Sequence, residues 1–430
     1  ESRATRHSSG QPSAVRVTAP SQEQEKMAGG FSAHLVPVDC RQLQPGMYVA
    51  ELDRPWLQTP FHAHGFLLVN AEQIEALRRV CSYVYVDPVL SEHSENGLFS
   101  TGLTARVTAL KAGRQPCALD RSRQALHETG HALDAAVREA RRSAQITLTT
   151  PRLALKELVS SIVADSDALP WLMATELHVG FLYRRALGSA VLMTIAGQRI
   201  GFERELLDEL ALAGLLLDIG KISVPITILA KPARLTSPER HFITRHVRRG
   251  LYMVRAAEAI SEPLEEALLG HHERLDGSGY PRGIRGTHLP LVARLAGIVD
   301  TYDALLQTRS YSPALAAHDA IRLINSMRNR QFDSALVRMF ILALGVWPTG
   351  SWVQLADGRF GIVRSQTPGE PGRPSIALVC DSSGDALATD TRLWRPRRRG
   401  DIARAVLPGQ TRVSQRIVDA AVSAAAHLAA

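Results

Sequence analysis

HHERLDGSGYPRG, residues 271–283, is the most informative stretch of the chain. Its two adjacent histidines end a run of helical periodicity, and His271 continues an apolar row with Leu264 and Leu268, so it is predicted to face inward. A turn with glycines, a tyrosine and a proline follows, which favours tight backbone geometry. One inward histidine is usually a hydrogen-bonded core residue. Two adjacent ones fit that interpretation poorly and direct attention to other polar residues with which they could bind a metal.

Such residues occur on other predicted helices. In ELALAGLLLDIGKISVP, Asp218 lies at the end of a nearly all-apolar helical run. His246 lies on the helix predicted after Thr236, and Asp300 lies among alanines on another helix. A buried carboxylate without a partner is costly, so Asp218 requires a cation, and an internal ion pair with Lys221 is one solution. Imidazoles and carboxylates on facing helices are also what a divalent transition metal requires. Such a metal would polarise a phosphoryl oxygen and activate a bound water.

These segments resemble the HD-GYP family, the bacterial cyclic di-GMP phosphodiesterases within the HD superfamily of metal-dependent phosphohydrolases. LDIGKISVP (217–225) is similar to the family's HDIGK motif, and HHERLDGSGYPRG is similar to the motif that names the family. ARLAGIVDTYDALLQTRSY (293–311) resembles the block that holds the last metal aspartate. The similarity extends from about Ala168 to Leu344. The N-terminal module also resembles a domain often found ahead of HD-GYP domains.

The resemblance implies a metal centre and a substrate site. The implied metal is iron or manganese, and the implied ligands are Asp218, His246, His271, His272 and Asp300. The implied substrate contacts are Lys221, Arg309, Gly277, Gly279, Tyr280 and Pro281, with Asp218 and Lys221 catalytic if the domain is active. The implied partners are cyclic di-GMP and, through the GYP loop (residues 276–286), diguanylate cyclase (GGDEF) domains. The alternative for this loop is a rigid turn that only closes the helical bundle.

The chain departs from the family pattern at Phe181, Arg185, Leu217 and Ser312. Arg185 and Leu217 stand where the family has two histidines that hold one of its metals. Phe181 replaces an acidic ligand of some members, and Ser312 replaces a basic residue that contacts phosphate. We therefore expect one divalent ion or none, rather than a full two-metal or three-metal site.

Arg185 lies on the row Leu182, Arg185, Ser189 and Met193, which is predicted to face the interior. A buried arginine requires carboxylates. We predict that the Arg185 guanidinium occupies the position of the missing metal and pairs with Asp218, Asp300 or both. The alternative is that this side chain extends to solvent.

Three functions stay open at this point. The first is a regulator in cyclic di-GMP signalling that binds a ligand or a protein partner and has weak or no activity. The second is a phosphodiesterase that hydrolyses cyclic di-GMP to pGpG or GMP with a reduced metal site. The third is a structural adaptor that works through its terminal modules. The loss of two metal histidines favours the first over the second, and the retained ligands with Lys221 count against the third.

The pattern along the chain predicts a multidomain α+β protein with a central all-α HD-GYP helical bundle. The predicted segments are a disordered arm (1–32, with Met27 a plausible start), an α/β module plus linker (33–125), the helical domain with its lead-in helices (126–345), a small β module (346–410) and a C-terminal helix (411–430). Asn70 and Thr236 are predicted helix caps, the latter in a capping box with Glu239. SWVQL, ADG and RFGIV predict a β-hairpin.

Composition adds limits on function. The net charge of +8 favours anionic partners, but a solvated arginine-rich surface explains it more simply. The basic segment RPRRRG (395–400) lacks the interleaved aromatic residues on which nucleic-acid bases stack. The four cysteines form no CxxC pair, which favours a reducing compartment over a disulfide framework or a zinc ribbon. No apolar run reaches the roughly 18 residues of a membrane span. Without a visible signal peptide, we expect a cytoplasmic protein, and a homodimer stays open.

Overall fold

A computed structural model describes residues 36–52, 66–81, 83–87, 118–175, 181–229, 231, 233–307, 314–383, 385, 387, 393–398 and 400–407. The chain forms two compact units, Glu1–Gly113 and Arg114–Ala430. The predicted arm at 1–32 and the predicted C-terminal helix at 411–430 lie outside the described residues, as do Arg309 and Ser312.

The first unit is an α/β module, as predicted. Its antiparallel sheet has the order β1-β4-β2-β3, built from β1 (Val36–Asp39), β2 (Tyr48–Leu52), β3 (Phe66–Leu67) and β4 (Tyr83–Asp87). Helix α1 (Ala71–Val80) begins at the predicted cap, because Asn70 Oδ1 accepts the Gln73 N–H at 2.9 Å and Gln73 Oε1 accepts the Val69 N–H at 2.8 Å. These elements enclose a small apolar core that includes Leu68, Leu77 and Val84.

The second unit is mainly a helical bundle. Its helices are α2 (Ala118–Ser143), α3 (Thr149–Ala164), α4 (Ala168–Thr175), α5 (Phe181–Ile200), α6 (Arg204–Leu216), α7 (Ile226–Leu229), α8 (Ser237–Thr244), α9 (His246–Arg255), α10 (Glu262–Gly270), α11 (Leu291–Leu305), α12 (Ala317–Ser326) and α13 (Ser334–Leu344). A short 3-10 helix, Ile219–Ser223, follows α6 and packs against α9, while α5 packs against α6, α11 and α13. The candidate ligands therefore come from elements that are in mutual contact.

Several predicted helix limits are corrected. Helix α2 begins at Ala118, inside the segment predicted as linker, because Leu119, Ala125 and Leu126 already lie on its buried face. The apolar periodicity of the sequence predicts one helix from about Leu172 to Arg199. The structure describes this stretch as α4 and α5, and residues 176–180 between them lie outside the described part of the chain.

Two further limits concern the histidines. The apolar periodicity predicts a helix from about Pro263 to Arg274. Helix α10 ends earlier, at Gly270, where glycine's low helix propensity favours an end, and His271 is the C-cap. The capping box predicted at Thr236 is present and opens α8. That helix stops at Thr244, however, so His246 begins α9 instead of lying on the helix that Thr236 caps.

Two glycines bring the backbone around Asp218 close to its neighbours. A side chain at Gly214 would place Cβ 2.5 Å from the Ser189 carbonyl oxygen on α5, and one at Gly220 would collide with the His246 carbonyl oxygen on α9. Only glycine permits both approaches. The Asp218 turn is thereby fixed between α5, which carries Arg185, and α9, which begins with His246.

The β module closes the second unit. Its antiparallel sheet has the order β7-β6-β5-β8, built from β5 (Trp352–Leu355), β6 (Phe360–Ser365), β7 (Ser375–Cys380) and β8 (Ile402–Val406). The predicted hairpin is confirmed as β5 and β6, whereas β8 was not predicted from the sequence. The module joins the bundle at Asp167, which accepts hydrogen bonds from the Thr349 hydroxyl at 2.5 Å and the Gln366 N–H at 2.9 Å.

Two bulk properties bear on the compositional predictions. Cys40, Cys81 and Cys380 are buried, and none of them forms a disulfide within the described part of the chain. Within the described ranges, every helix is too short or too polar to cross a lipid bilayer.

Candidate metal centre

Four predicted ligands meet between α6, α9 and α10. Asp218 lies at the start of the 3-10 helix after α6, His246 is the first residue of α9, and His271 and His272 follow α10. One donor atom from each of these residues lies within 4.8 Å of the others. Metal–ligand bonds of about 2.0–2.2 Å require donors gathered over a span of this order.

The hydrogen bonds of two histidines orient their second ring nitrogens toward each other. His246 Nδ1 lies 2.8 Å from the Ile243 carbonyl oxygen, and His271 Nδ1 lies 3.0 Å from that of Leu268. Because a carbonyl only accepts, both Nδ1 atoms carry the proton and both Nε2 atoms present lone pairs. These Nε2 atoms are 3.4 Å apart. Such backbone bonds are how proteins fix the tautomer of metal-binding histidines.

The other two residues of the group each have one buried atom without a hydrogen-bond partner among the described residues. These atoms are Asp218 Oδ1 and His272 Nε2. Asp218 Oδ1 lies 3.5 Å from His246 Nε2, which has no proton to donate in this tautomer. Buried lone pairs that face one another are unfavourable unless a cation lies between them. The donor set therefore fits a divalent transition metal.

The electrostatics keep these ligands in the forms that bind metals. Burial lowers the pKa of His246 to about 4, although Asp218 opposes the shift. Burial also lowers the pKa of His271 and, together with its histidine neighbours, holds the pKa of His272 well below its usual range. Burial alone would raise the pKa of Asp218, but Lys221 and Arg185 outweigh it and hold that pKa well below the ordinary value. Three neutral imidazoles thus face one carboxylate.

Arg185 is buried beside this group and is paired with carboxylates. Its side chain is 4% exposed, so the alternative in which it extends to solvent is wrong. Its Nε lies 3.2 Å from Asp218 Oδ2, and its Nη2 lies 2.5 Å from Asp300 Oδ1. The prediction that Arg185 pairs with Asp218, Asp300 or both is confirmed, because it pairs with both. Asp303 Oδ2 is a third acidic neighbour, 3.9 Å from Nε.

Asp300 consequently lies beside the four-ligand group rather than within it. One of its oxygens pairs with Arg185, and the other, Oδ2, lies 3.5 Å from His272 Nδ1. A carboxylate next to Nδ1 of a histidine favours Nδ1–H and leaves Nε2 as the donor. Asp300 therefore orients a ligand here, in addition to balancing the Arg185 charge.

The two oxygens of Asp218 have different partners. Oδ2 faces two cations, Arg185 at 3.2 Å and Lys221 Nζ at 2.7 Å. Oδ1 faces the histidines and has no hydrogen-bond partner in the described part of the chain. The internal Asp218–Lys221 pair considered from the sequence is present, yet it uses only one of the two oxygens. Leu217, where the resemblance implies the second missing histidine, is buried at 3% exposure.

The GYP loop is built as its residue types predict. Gly277 has φ +75°, and a side chain at Gly279 would place Cβ 2.4 Å from Cα of Glu273. The Tyr280 ring stacks on the His272 ring with centroids 4.6 Å apart, and the Tyr280–Pro281 peptide bond is cis. The loop is therefore anchored to the candidate ligand group through Tyr280.

Sequence reasoning missed three functional contacts. Glu273 is 2% exposed and accepts the N–H groups of Arg282 and Ile284, which holds the loop closed. Asp303 pairs with Arg185, a role that its position one turn after Asp300 on the same face of α11 could have suggested. The stacking of Tyr280 on His272 has no signal in the sequence beyond the presence of two rings.

Other predicted site residues are not tested by this geometry. Arg309 and Ser312 lie outside the described residues, and Phe181 is the first residue of α5. Lys221 is partly exposed, at 19% of its side chain, so its ammonium group is accessible from solvent beside Asp218.

Comparisons with known proteins agree with this architecture. Residues 158–336 match the family described as HD domain, and residues 35–151 match a domain of unknown function, DUF3391. Cyclic di-GMP phosphodiesterase PA4108 from Pseudomonas aeruginosa is 31% identical over 334 residues, which cover 76% of this chain and 80% of that protein. The chain belongs to the HD-GYP family.

A shorter match and a solved structure complete the comparisons. The cyclic di-GMP phosphodiesterase response regulator RpfG from Xanthomonas campestris pv. campestris is 35% identical over 144 residues, which cover 33% of this chain and 38% of that protein. A solved HD-GYP-like structure, an HDG"Y"P protein from Bdellovibrio bacteriovorus, covers 71% of this chain and 98% of its own with 13% identity and a TM-score of 0.46. The DUF3391 match corresponds to the N-terminal module expected ahead of an HD-GYP domain.

Proposed function

We propose that this HD-GYP protein is a cytoplasmic regulator that binds cyclic di-GMP next to a single-metal centre and has weak or no phosphodiesterase activity. The metal we propose is iron or manganese. The observation that carries this proposal is the Arg185 guanidinium between Asp218 and Asp300. A fixed positive charge there repels a second metal ion and already neutralises the carboxylates that would bind it.

In this proposal one group of residues binds the metal ion and another binds the ligand. Asp218 Oδ1 and the imidazoles of His246, His271 and His272 hold the ion, and the bound ion would act as a Lewis acid toward a phosphoryl oxygen. Lys221, partly exposed beside Asp218, contacts a phosphate of the ligand. The GYP loop lines the site through Tyr280. Arg309 is proposed as a further phosphate contact, and the exposed part of the loop, including Ser278 and Arg282, as the surface for a diguanylate cyclase (GGDEF) domain.

The second candidate function is an active phosphodiesterase with a reduced site. The observation that favours it is the intact four-ligand group with Lys221 beside it. Two-metal phosphoryl chemistry assigns one ion to the attacking oxygen and another to the leaving oxygen. A single ion beside Arg185 supplies part of that apparatus, so we expect turnover far below that of a complete site.

One protein preparation with two measurements separates these functions. Metal content is determined by elemental analysis after loading with manganese or with iron under reducing conditions. Cyclic di-GMP binding and turnover to pGpG or GMP are then followed in the same sample. We expect a single ion per chain and saturable ligand binding without multiple turnovers. Multiple turnovers that Asp218→Ala abolishes would contradict the regulator and support the reduced enzyme.

A gain-of-function variant provides the complementary test. Combining Arg185→His with Leu217→His restores the two lost ligand types, so we expect a second bound ion and the appearance of turnover. Arg204→His is the matched control, because Arg204 pairs with Asp208 on the surface of α6, away from the ligands. If the double variant binds one ion and the wild type binds two, the assignment of Arg185 to a metal position is wrong.

A further inference from the structure

The solvent-facing side of α9 carries a row of arginines that includes a tyrosine. Arg245 precedes the helix, and Arg248, Tyr252 and Arg255 follow it at intervals of three or four residues. All four side chains are exposed, so this spacing places them along one side of the helix. His246, a candidate metal ligand, is buried and belongs to the side that packs in the bundle. These four exposed residues, called the α9 row, therefore form a surface separate from the metal centre.

The positive charge of the α9 row is largely unbalanced. Residues 240–255 contain five arginines and no aspartate or glutamate. Arg255 pairs with Glu265 from α10, whereas Arg245 and Arg248 have no ion-pair partner in the described part of the chain. Like charges one turn apart on a helix repel each other. An anionic partner that contacts this side of the helix would relieve that repulsion.

Tyr252 gives the row an exposed aromatic ring. It is 68% exposed, the largest exposed fraction among the large apolar side chains that the structure describes. It lies between Arg248 and Arg255, so the ring is interleaved with guanidinium groups. A nucleic-acid base can stack on such a ring whatever its sequence, because every base has a π face. The α9 row thus has the feature that the basic segment RPRRRG (395–400) lacks.

The helix beneath the row is held in place by the bundle. Val247 and Val254 are buried at 1% exposure or less. Arg249, which is partly buried, is held down separately, because its Nη1 donates to Ser223 Oγ at 3.1 Å and its guanidinium lies 4.6 Å from the centre of the Phe242 ring. The row is therefore preformed, and a partner does not have to order the helix in order to bind.

We infer that the α9 row binds single-stranded nucleic acid, with phosphates at Arg245 and Arg248 and a base stacked on Tyr252. A duplex offers the same phosphates, but its bases are stacked on one another and cannot reach the ring. An anionic bilayer offers charge without a ring that could stack on Tyr252. The exposed tyrosine is therefore the observation that favours a single strand. The inference does not depend on the proposed metal centre or its ligand.

The test measures binding of the full chain to a fluorescein-labelled oligouridylate of roughly 12 nucleotides by fluorescence anisotropy at several salt concentrations. Tyr252→Ala should weaken binding about tenfold and leave the salt dependence unchanged, because it removes stacking but no charge. Tyr252→Phe keeps the ring and should bind within about twofold of wild type. An oligothymidylate of the same length shows whether the strand that binds more tightly is RNA or DNA, and either result supports the inference.

The arginines should act through the salt dependence. Arg245→Gln and Arg248→Gln each remove one phosphate contact, so each should reduce the slope of log affinity against log salt by about 0.7. Arg338→Gln is the matched control, because Arg338 is an exposed arginine of α13 that also lacks an ion-pair partner among the described residues. It should leave both the affinity and the slope unchanged.

Three outcomes overturn the inference. The first is the absence of saturable binding to either single strand. The second is binding that the arginine variants weaken and Tyr252→Ala leaves unchanged, which would show attraction by charge alone. The third is tighter binding to a duplex of the same length or to phosphatidylglycerol vesicles, which would assign the surface to that partner. Unchanged manganese binding in Tyr252→Ala shows that this variant is folded and that the α9 row is separate from the metal centre.

Discussion

The two sides of the Asp218 carboxylate solve the same electrostatic problem in different ways. On the Oδ2 side the protein supplies its own cations, Arg185 and Lys221, so that side is complete without a ligand. On the Oδ1 side three neutral histidines surround an oxygen without a hydrogen-bond partner in the described residues, and that side requires an added cation. Arg185 therefore completes one side of the carboxylate with an internal ion-pair network and leaves the other side able to bind an ion.

The two sides also differ in whether they require an added ion. Without Arg185, Asp300 would be a buried charge that lacks its cation, and buried charges require partners. Because Arg185 pairs with both Asp218 and Asp300, no added cation is needed between these two carboxylates. His246 and His271 keep backbone hydrogen bonds that orient them whether or not an ion is bound. The donor set on the Oδ1 side is thus preorganised by its own elements.

The largest expected effect comes from removing the built-in cation. Arg185→Met replaces the apolar stem of the side chain but leaves buried carboxylates without their partner, and breaking such a pair costs about 3–5 kcal/mol. We expect the free energy of unfolding, measured with urea in the presence of EDTA, to fall by about that amount. Excess manganese should reduce the loss, because an ion can then bind between Asp218 and Asp300.

The control for this prediction is Arg204→Met. Arg204 forms a partly exposed pair with Asp208 at 3.0 Å, and such pairs contribute about 0–1 kcal/mol. Equal stability of Arg185→Met and wild type in EDTA would show that the Arg185 side is not an ion-pair network that stabilises the bundle.

The second prediction tests the other side of Asp218. His271→Ala removes a direct ligand, so the loss in manganese affinity should reach or exceed the roughly 100-fold upper limit for outer-shell partners. Isothermal titration calorimetry measures this loss. His288→Ala is the matched control, because His288 is exposed in the 3-10 helix before α11. Unchanged manganese affinity in His271→Ala would show that the histidines on the Oδ1 side of Asp218 do not bind the ion.

Local sequence signals predicted several elements of the fold and of the candidate site. The caps at Asn70 and Thr236 depend on one side chain and the residues next to it, and both formed as expected. The inward direction of His271 follows from the apolar row of α10. The row of Arg185 on α5 likewise predicted its burial and its pairing with Asp218 and Asp300.

What escaped sequence reasoning depends on contacts between distant segments. The division of Asp218 into a paired and an unpaired oxygen requires the positions of α5 and α9 relative to the 3-10 helix. The strand Ile402–Val406 forms because it pairs with Trp352–Leu355, far away in the chain.

The third prediction concerns the loop contact on the metal side. Tyr280→Ala removes the ring stacked on His272 and frees that imidazole to rotate, so manganese affinity should fall about tenfold, as for an outer-shell partner. Tyr280→Phe keeps the ring and should leave the affinity within about twofold of wild type. If Tyr280→Phe and Tyr280→Ala reduce manganese affinity equally, the Tyr280 hydroxyl rather than the stacked ring is responsible.

The smallest expected effect has the opposite sign and connects the two sides. Lys221→Met removes one of the two cations from Asp218 Oδ2, which decreases the repulsion felt by an ion near Oδ1 and increases the negative charge available to it. Lys221 is partly exposed, so solvent screens its charge. The gain in manganese affinity should therefore be only a few-fold, about 0.5–1 kcal/mol. Cyclic di-GMP affinity should fall in the same variant, because the proposed phosphate contact is lost. A rise or fall of both affinities together would show that the two oxygens of Asp218 do not separate metal binding from phosphate recognition.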